Sequence, residues 1–310
     1  MYNFAPPTKL GVGFTYQRGL RPAIEAGRDM IDFFEISPDL LCHEKVHADN
    51  RTLEYHPALL DEAMRCCADR PIVIHGLGLS IGSATGWNES YIQILDALYS
   101  RWPFIWHSEH IGFMNTTYPD GRPLYMGVPL PLPFTDEAVE LLAQRAELMC
   151  ERYERPFLLE NLTYYLPDLP AEGGRNEIAF LNDIVEGSGC GLLLDLYNFY
   201  CNAVNLRFDP FEALTRLRLD RVVEIHLAGG AFHDGFLTDA HCQVVPEPVW
   251  QLLEWVAPRA PNLSGIVYEI LEQAFNIVGI EGICRQLERA RKVWLTHCFS
   301  TDSEKVYAAT

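Results

Sequence analysis

Apolar stretches of strand length alternate with amphipathic stretches of helix length along nearly the whole chain. The strand-like runs are Lys9–Tyr16, Asp32–Ser37, Pro71–Leu79, Phe104–Phe113, Phe157–Leu162, Gly191–Tyr197, a run opening at Val222 and closing on Gly229-Gly230, and Gly265–Leu271. Helical spacing fills 20–27, 57–69, 87–102, 135–153, 176–187, a stretch opening at Asp209-Pro210, one from Pro246 to before Pro258, and 279–296. Prolines in first turns and Thr135-Asp136-Glu137 mark helix starts. The strands are continuously apolar, as parallel strands covered on both faces should be. Eight such units predict a closed (β/α)8 TIM barrel. An open doubly wound sheet is the other arrangement this alternation allows, but no glycine-rich dinucleotide fingerprint follows the first strand.

Length and composition narrow the picture. The chain has 310 residues, 48% of them hydrophobic. We expect a single domain over 1–310, with a core at about 9–297 and a polar C-terminal tail over 298–310. The formal charge is -18, from 42 acidic and 24 basic residues. Such a surface lacks the basic face that a nucleic-acid backbone requires, so no nucleic-acid partner is expected. Nine cysteines are scattered, odd in number and without C-x-x-C spacing, as in a chain with reduced thiols. The opening residues carry no signal-peptide pattern, and no apolar run approaches the ~20 residues of a membrane span. A cytoplasmic protein with no membrane partner is the expectation.

Candidate chemistry gathers where the strands end, which is where such barrels place their active sites. Those ends read Glu35, His75, His107-Ser108-Glu109-His110, Glu160-Asn161, Asp195 with Asn198, His226 and Glu269. Beyond His226 follow His233, Asp234, Asp239 and His241. So many carboxylates aimed at one mouth would repel one another, and no lysine stands among them to compensate. Multivalent metal ions supply the missing charge, held by imidazole and carboxylate. His107 and His110 have opposite strand parity, and the sequence pattern alone leaves open which of them faces inward.

The order His75, His110, Glu160, Asp195, His226, Asp239-x-His241, Glu269 resembles the ligand order of xylose-isomerase-like barrels, above all endonuclease IV with its three metals. Whole segments carry a closer resemblance: Ile74-His75-Gly76, Ser108-Glu109-His110, Leu159-Glu160-Asn161, Leu192 to Asn198, and Glu224 to Gly229. They are similar to the multinuclear non-heme iron-dependent oxidases, which modify ribosomally made precursor peptides, and the likeness spans roughly residues 9–295.

The resemblance implies two to three iron ions of mixed Fe(II)/Fe(III) state, with dioxygen as co-substrate and a precursor peptide, often modified at cysteine, as substrate. It further implies a separate peptide-recognition partner protein. His75 and His110 would hold one metal, with Glu160 bridging to a second. Glu160, Asp195, His226 and Glu269 would hold that second metal, and Asn198, Asp239 and His241 a third. The family pattern favours His110 over His107. Glu35, Asn161, His233 and Asp234 would contact the substrate or support the ligands. Two departures stand out: Asn198 replaces a histidine, and strand eight ends Tyr268-Glu269-Ile270 where the family often has Glu-Trp-Asp. The same ligands would also serve an endonuclease-IV-like phosphodiester hydrolase, a sugar isomerase or a non-catalytic metal-binding protein.

Overall fold

The computed structural model describes residues 7–47, 50–166 and 168–298. The tail expected over 298–310 thus lies, Cys298 apart, outside the described residues. Eight parallel strands close a barrel in chain order: β1 (Gly11–Thr15), β2 (Phe33–Ile36), β3 (Ile72–Gly76), β4 (His107–His110), β5 (Phe157–Glu160), β6 (Gly191–Asp195), β7 (Val222–Leu227) and β8 (Gly265–Tyr268), with β8 paired back onto β1. This is the TIM barrel that the alternation predicts. Around it run α1 (Arg21–Ala26), α2 (Pro57–Cys67), α3 (Glu89–Arg101), α4 (Asp136–Tyr153), α5 (Glu177–Ser188), α6 (Leu196–Leu206), the short α7 (Pro210–Leu214), α8 (Glu247–Val256) and α9 (Phe275–His297).

Caps fix several helix starts. Asn88, Thr135 and Asn176 accept the backbone N–H of Tyr91, Ala138 and Ala179, satisfying groups that the first turn leaves open. The last helix is interrupted at Gly279, whose φ of 68° breaks the helical path. None of the helices is long and apolar enough to cross a membrane, among the described residues. All nine cysteines are free.

The sixth unit departs from the sequence expectation. The run Gly191–Tyr197 looks like one long strand, yet β6 stops at Asp195. The Asp195 Oδ1 accepts from Asn198 N at 2.6 Å, so this carboxylate starts an eleven-residue helix at once. The helix expected at Asp209-Pro210 is the five-residue α7 that follows. Three two-stranded hairpins were also not anticipated: Cys42–His47 with Asn50–Tyr55, Phe113–Thr117 with Pro123–Leu130, and Phe232–His233 with Phe236–Leu237. All three grow from loops that follow strands, on the side where the strands end.

A separate apolar cluster fills the barrel: Phe33, Val73, Trp106, Leu158, Leu193, Val223 and Val267, one from each strand except β1 and β4, with Trp106 directly preceding β4. In β1 the interior position is Gly13, and the Phe33 ring takes the space its side chain would need. A Cβ there would sit 2.5 Å from Phe33 Cζ, and one at Gly265 would sit 2.7 Å from it. Parity carries the chain from this plug to the mouth. Two residues beyond the plug stand Glu35, His75, Glu160, Asp195 and Glu269, and four beyond Trp106 stands His110. His226 lies three residues past Val223, because the β6–β7 register shifts between Leu192 and Leu193 and inserts one residue into β7.

Gly265→Ala should therefore lower stability by about 1–3 kcal/mol through overpacking against Phe33. Urea unfolding would show this as a lower midpoint at constant slope, partly restored by adding Phe33→Leu. An unchanged midpoint would contradict the filled interior.

Candidate metal centre

Register sets the ligands level with one another. His110 pairs with Glu160 across β4 and β5, and Asp195 pairs with His226 across β6 and β7. Both His75 Nε2 and His110 Nε2 lie 3.1 Å from the same atom, Glu160 Oε2. His226 Nδ1 lies 3.0 Å from Glu269 Oε2 and 4.0 Å from both Glu160 Oε1 and Asp195 Oδ2. His241 Nε2 lies 2.5 Å from Asp239 Oδ1, and its Nδ1 lies 3.4 Å from Glu269 Oε1. Four groupings of potential ligands result among the described residues, with donor atoms within 4.8 Å of one another: His75, His110 and Glu160; Glu160, Asp195 and His226; Asp195, His241 and Glu269; and, deeper in the barrel, Glu35, Glu224 and His226. Adjacent groupings share Glu160 and Asp195.

The outer nitrogens of the rings are fixed by neighbours. His75 Nδ1 is 2.9 Å from Ser108 Oγ, which spends its own hydrogen on the Ile74 carbonyl at 3.0 Å. The hydroxyl can then only accept, so Nδ1 carries a proton and the lone pair of the neutral ring sits on Nε2. His110 Nδ1 donates to the Gly76 carbonyl at 3.1 Å with the same result. In both cases that lone pair faces a carboxylate oxygen. His226 is reversed: Glu35 Oε2 holds Nε2 at 2.7 Å, so Nδ1 faces the cluster. A partner on the far nitrogen that sets tautomer and ring angle is what metal-binding histidines need.

The donor set fits metal ions on its own chemistry. Glu160 Oε2, Asp195 Oδ2, His226 Nδ1, Asp239 Oδ1, His241 Nε2 and Glu269 Oε2 are buried without a hydrogen-bond partner. Buried ionisable groups without hydrogen bonds are costly unless opposite charge balances them. Among the described residues only histidines pair with these carboxylates, and no lysine or arginine does. Without metal, protons take its place. Burial disfavours the charged rings, yet Glu160 pushes His75 up to about 10. Glu35 and Glu269 hold His226 well above the usual range, and Asp239 and Glu269 do the same for His241. Burial would raise Glu160, but His110 and His75 bring it down to about 2. The Asp195 carboxyl is held well up by burial and by Asp239 and Glu160 beside it.

The remaining candidates fall elsewhere. His107 points to the outer layer, against Phe104, Tyr153 and Phe157, where burial lowers its ring to about 3. Burial also holds Glu109 well up, so their 3.4 Å contact is not an ion pair. The side chain of Asn161 clamps the Asp195 main chain through both N–H and C=O. Asn198, expected at a third metal, has its amide engaged instead: Oδ1 accepts from Thr163 at 2.6 Å and Nδ2 donates to the Asn161 carbonyl. Beside His241 and Asp239 stand Asp195 and Glu269. His233 and Asp234 lie on an exposed hairpin, 80% and 89% accessible, and pair only with each other at 3.4 Å. Two supporting residues carried no role in the sequence reading: Ser108, and Glu224, which accepts from Trp106 Nε1 at 2.8 Å inside the barrel. Their inward parity with Trp106 and His226 is the signal that marks them.

Comparison with known proteins places the chain in a family. Residues 10–294 match the family model described as RiPP precursor modification enzyme MbnB/TglH/ChrH. The chain belongs to this family. A UPF0276 protein of Caulobacter vibrioides is 32% identical over 281 residues, covering 89% of this chain and 92% of its own length. One from Nitrosospira multiformis is 28% identical over 305 residues, covering 98% and 99%. Among solved structures, a D-psicose 3-epimerase with D-fructose superposes at TM-score 0.55 and 11% identity, covering 93% of this chain and 99% of its own. A xylose isomerase-like TIM barrel protein from Mycobacterium smegmatis in complex with magnesium gives 0.52 at 14% identity, covering 94% and 99%. These structural likenesses show the fold, which the MbnB/TglH/ChrH family member described here shares with them.

Metal uptake must displace the protons now on His75, His226 and His241. These rings are held above their ordinary value, His75 up to about 10, so the protonated centre is favoured as pH falls and gives up its protons as pH rises. Metal affinity should therefore rise with pH between 6 and 8, about tenfold per unit for each proton displaced. Indicator-dye stopped-flow should record proton release on metal addition. Affinity independent of pH would contradict the picture.

Proposed function

We propose that the chain is a multinuclear iron-dependent, dioxygen-using oxidase that modifies a ribosomally made precursor peptide. The observation that supports this reading is the convergence of six buried donor atoms without a hydrogen-bond partner, from four strand ends and one loop, with no lysine or arginine among the described residues to answer them. Iron ions bound there would supply dioxygen activation and redox chemistry. His75, His110 and Glu160 would hold one ion. Glu160, Asp195, His226 and Glu269 would hold the second, and Asp195, Asp239, His241 and Glu269 the third, in place of the set expected around Asn198. The family supplies the substrate class, since its members are described as precursor modification enzymes.

The chain's own residues would do the rest. Ser108, the Gly76 carbonyl and Glu35 keep each imidazole aimed at the centre, so that little reorganisation accompanies a change of charge there. Asn161 holds Asp195 at the end of its strand. Around the mouth, Leu40, Tyr125, Met126, Val128, Tyr165 and Phe232 are exposed on loops that follow strands. An apolar rim of this kind suits a peptide laid across the opening. We assign recognition of the rest of the precursor to a separate partner protein, and place the oxidase in the cytoplasm. The likeness to sugar epimerases is one of fold, and the -18 charge opposes a nucleic-acid substrate.

Protein purified without oxygen should contain two to three iron ions per chain and consume dioxygen with the precursor peptide encoded beside its gene. His226→Ala should lose activity and the central ion together, whereas Asp239→Ala should mainly deplete one ion of the three. Absence of iron and of oxygen uptake would sink the reading. Equal loss of all ions in both variants would sink the division into sites.

A further inference from the structure

Six of the eight histidine and carboxylate ligands stand at strand ends, where the barrel fixes them. Asp239 and His241 do not: they lie on the loop between β7 and α8. That loop is under strain, since His241 adopts a left-handed φ of 45°, a region that side chains other than glycine seldom occupy. Something outside the loop must therefore hold it in place.

Main-chain bonds to Gly229 and Ala231 close the base of the loop, and side chains of two neighbouring units hold its outer part. Asn205, near the end of α6, makes a reciprocal pair with the main chain of Leu237: Nδ2 donates to the carbonyl at 2.9 Å, and Oδ1 accepts from N–H at 2.8 Å. It thereby pairs with the hairpin as another strand would. Two residues on, Asp239 N–H donates to Tyr165 Oη at 3.1 Å, and the Tyr165 ring lies 6.0 Å edge-on from Phe236. Between these points Tyr197 Oη donates to the Thr238 carbonyl at 3.2 Å. On the far side Leu271 N–H donates to the His241 carbonyl at 3.0 Å, tying the loop to the segment just past Glu269. Neither Tyr165 nor Asn205 has a donor or acceptor atom on a ligand side chain.

We propose that Tyr165 and Asn205 are positioning residues for the peripheral metal, acting through the main chain of 237–239 to set the place of Asp239 and His241. The proposal rests on the multinuclear reading above. It makes the outermost ion dependent on contacts from α6 and the β5 loop, while the other two depend on the barrel alone.

The test is an anaerobic Fe(II) titration of the full chain against a competing chelator, with Mössbauer spectra of the loaded protein. In Tyr165→Phe and Asn205→Ala, one of three binding steps should weaken about tenfold or more. The other two steps and the thermal midpoint of the metal-free protein should stay at wild-type values in Tyr165→Phe. Asn205→Asp, which keeps the acceptor for Leu237 N–H and loses the donor, should fall between wild type and Asn205→Ala. Asp239→Ala identifies which step belongs to the peripheral ion. If Asn205→Ala does not fold, Tyr165→Phe decides alone. Three ions at wild-type affinity in both variants, or loss of all three together, would overturn the proposal, and an effect in one variant only would overturn it for the other residue. A wild-type chain that saturates at two ions would remove the peripheral site and this proposal, leaving the oxidase reading standing. A wild-type chain that binds no iron would instead defeat that reading.

Discussion

Uncompensated charge is the constraint on which the rest of this molecule depends. Glu160, Asp195, Glu269 and Asp239 meet at one end of the barrel with only imidazoles for company. Such a group is costly to bury unless protons or cations balance it. Everything nearby can be understood as holding it in check. The apolar plug beneath it fixes the strand ends, the outer nitrogens of the rings are anchored, and Asn161 clamps the strand that carries the most deeply buried carboxylate. Because neighbouring groupings share Glu160 and Asp195, the cations they would hold are not independent.

The geometry also separates two kinds of support. Ligands at strand ends inherit their positions from the hydrogen-bonded wall of the barrel, which cannot shift without disturbing its neighbours. The groups on the loop after β7 inherit theirs from a few side-chain contacts and main-chain bonds. A centre built this way has a rigid inner part and an outer part whose stability is set locally. The exposed hairpin Phe232–Leu237 is continuous with that outer part.

Much of this was legible in the sequence because a parallel barrel has few free choices. Alternating apolar runs marked the eight strands, and the last charged residue of each run marked the groups that meet at the barrel mouth. What escaped detection has physical causes. Asp195 serves both as strand end and as helix cap, so a run such as Leu192 to Tyr197 reads as one strand although it changes state midway. The hairpins sit in loops and set only a few residues, such as Leu53, Tyr55, Phe113 and Leu237, against the core, and their alternation is correspondingly weak. Asn198 matched a ligand by position in the sequence, but its amide is satisfied by Thr163 and Asn161, which only the folded chain brings together. His107 and His110 could have been separated by counting from Trp106, had its place in the interior been known.

The extra residue in β7 reaches beyond this one chain. Offsets from plug to mouth are even in every other ligand-bearing strand, and odd here. Any attempt to graft this centre onto an idealised barrel, or to lay its strands over a relative's by inward-facing position, has to carry the bulge as part of the ligand set. A regular seventh strand would turn the imidazole toward the helices and bring Ile225 to the mouth instead. The irregularity is thus a component of the centre, as necessary as the side chains it aims.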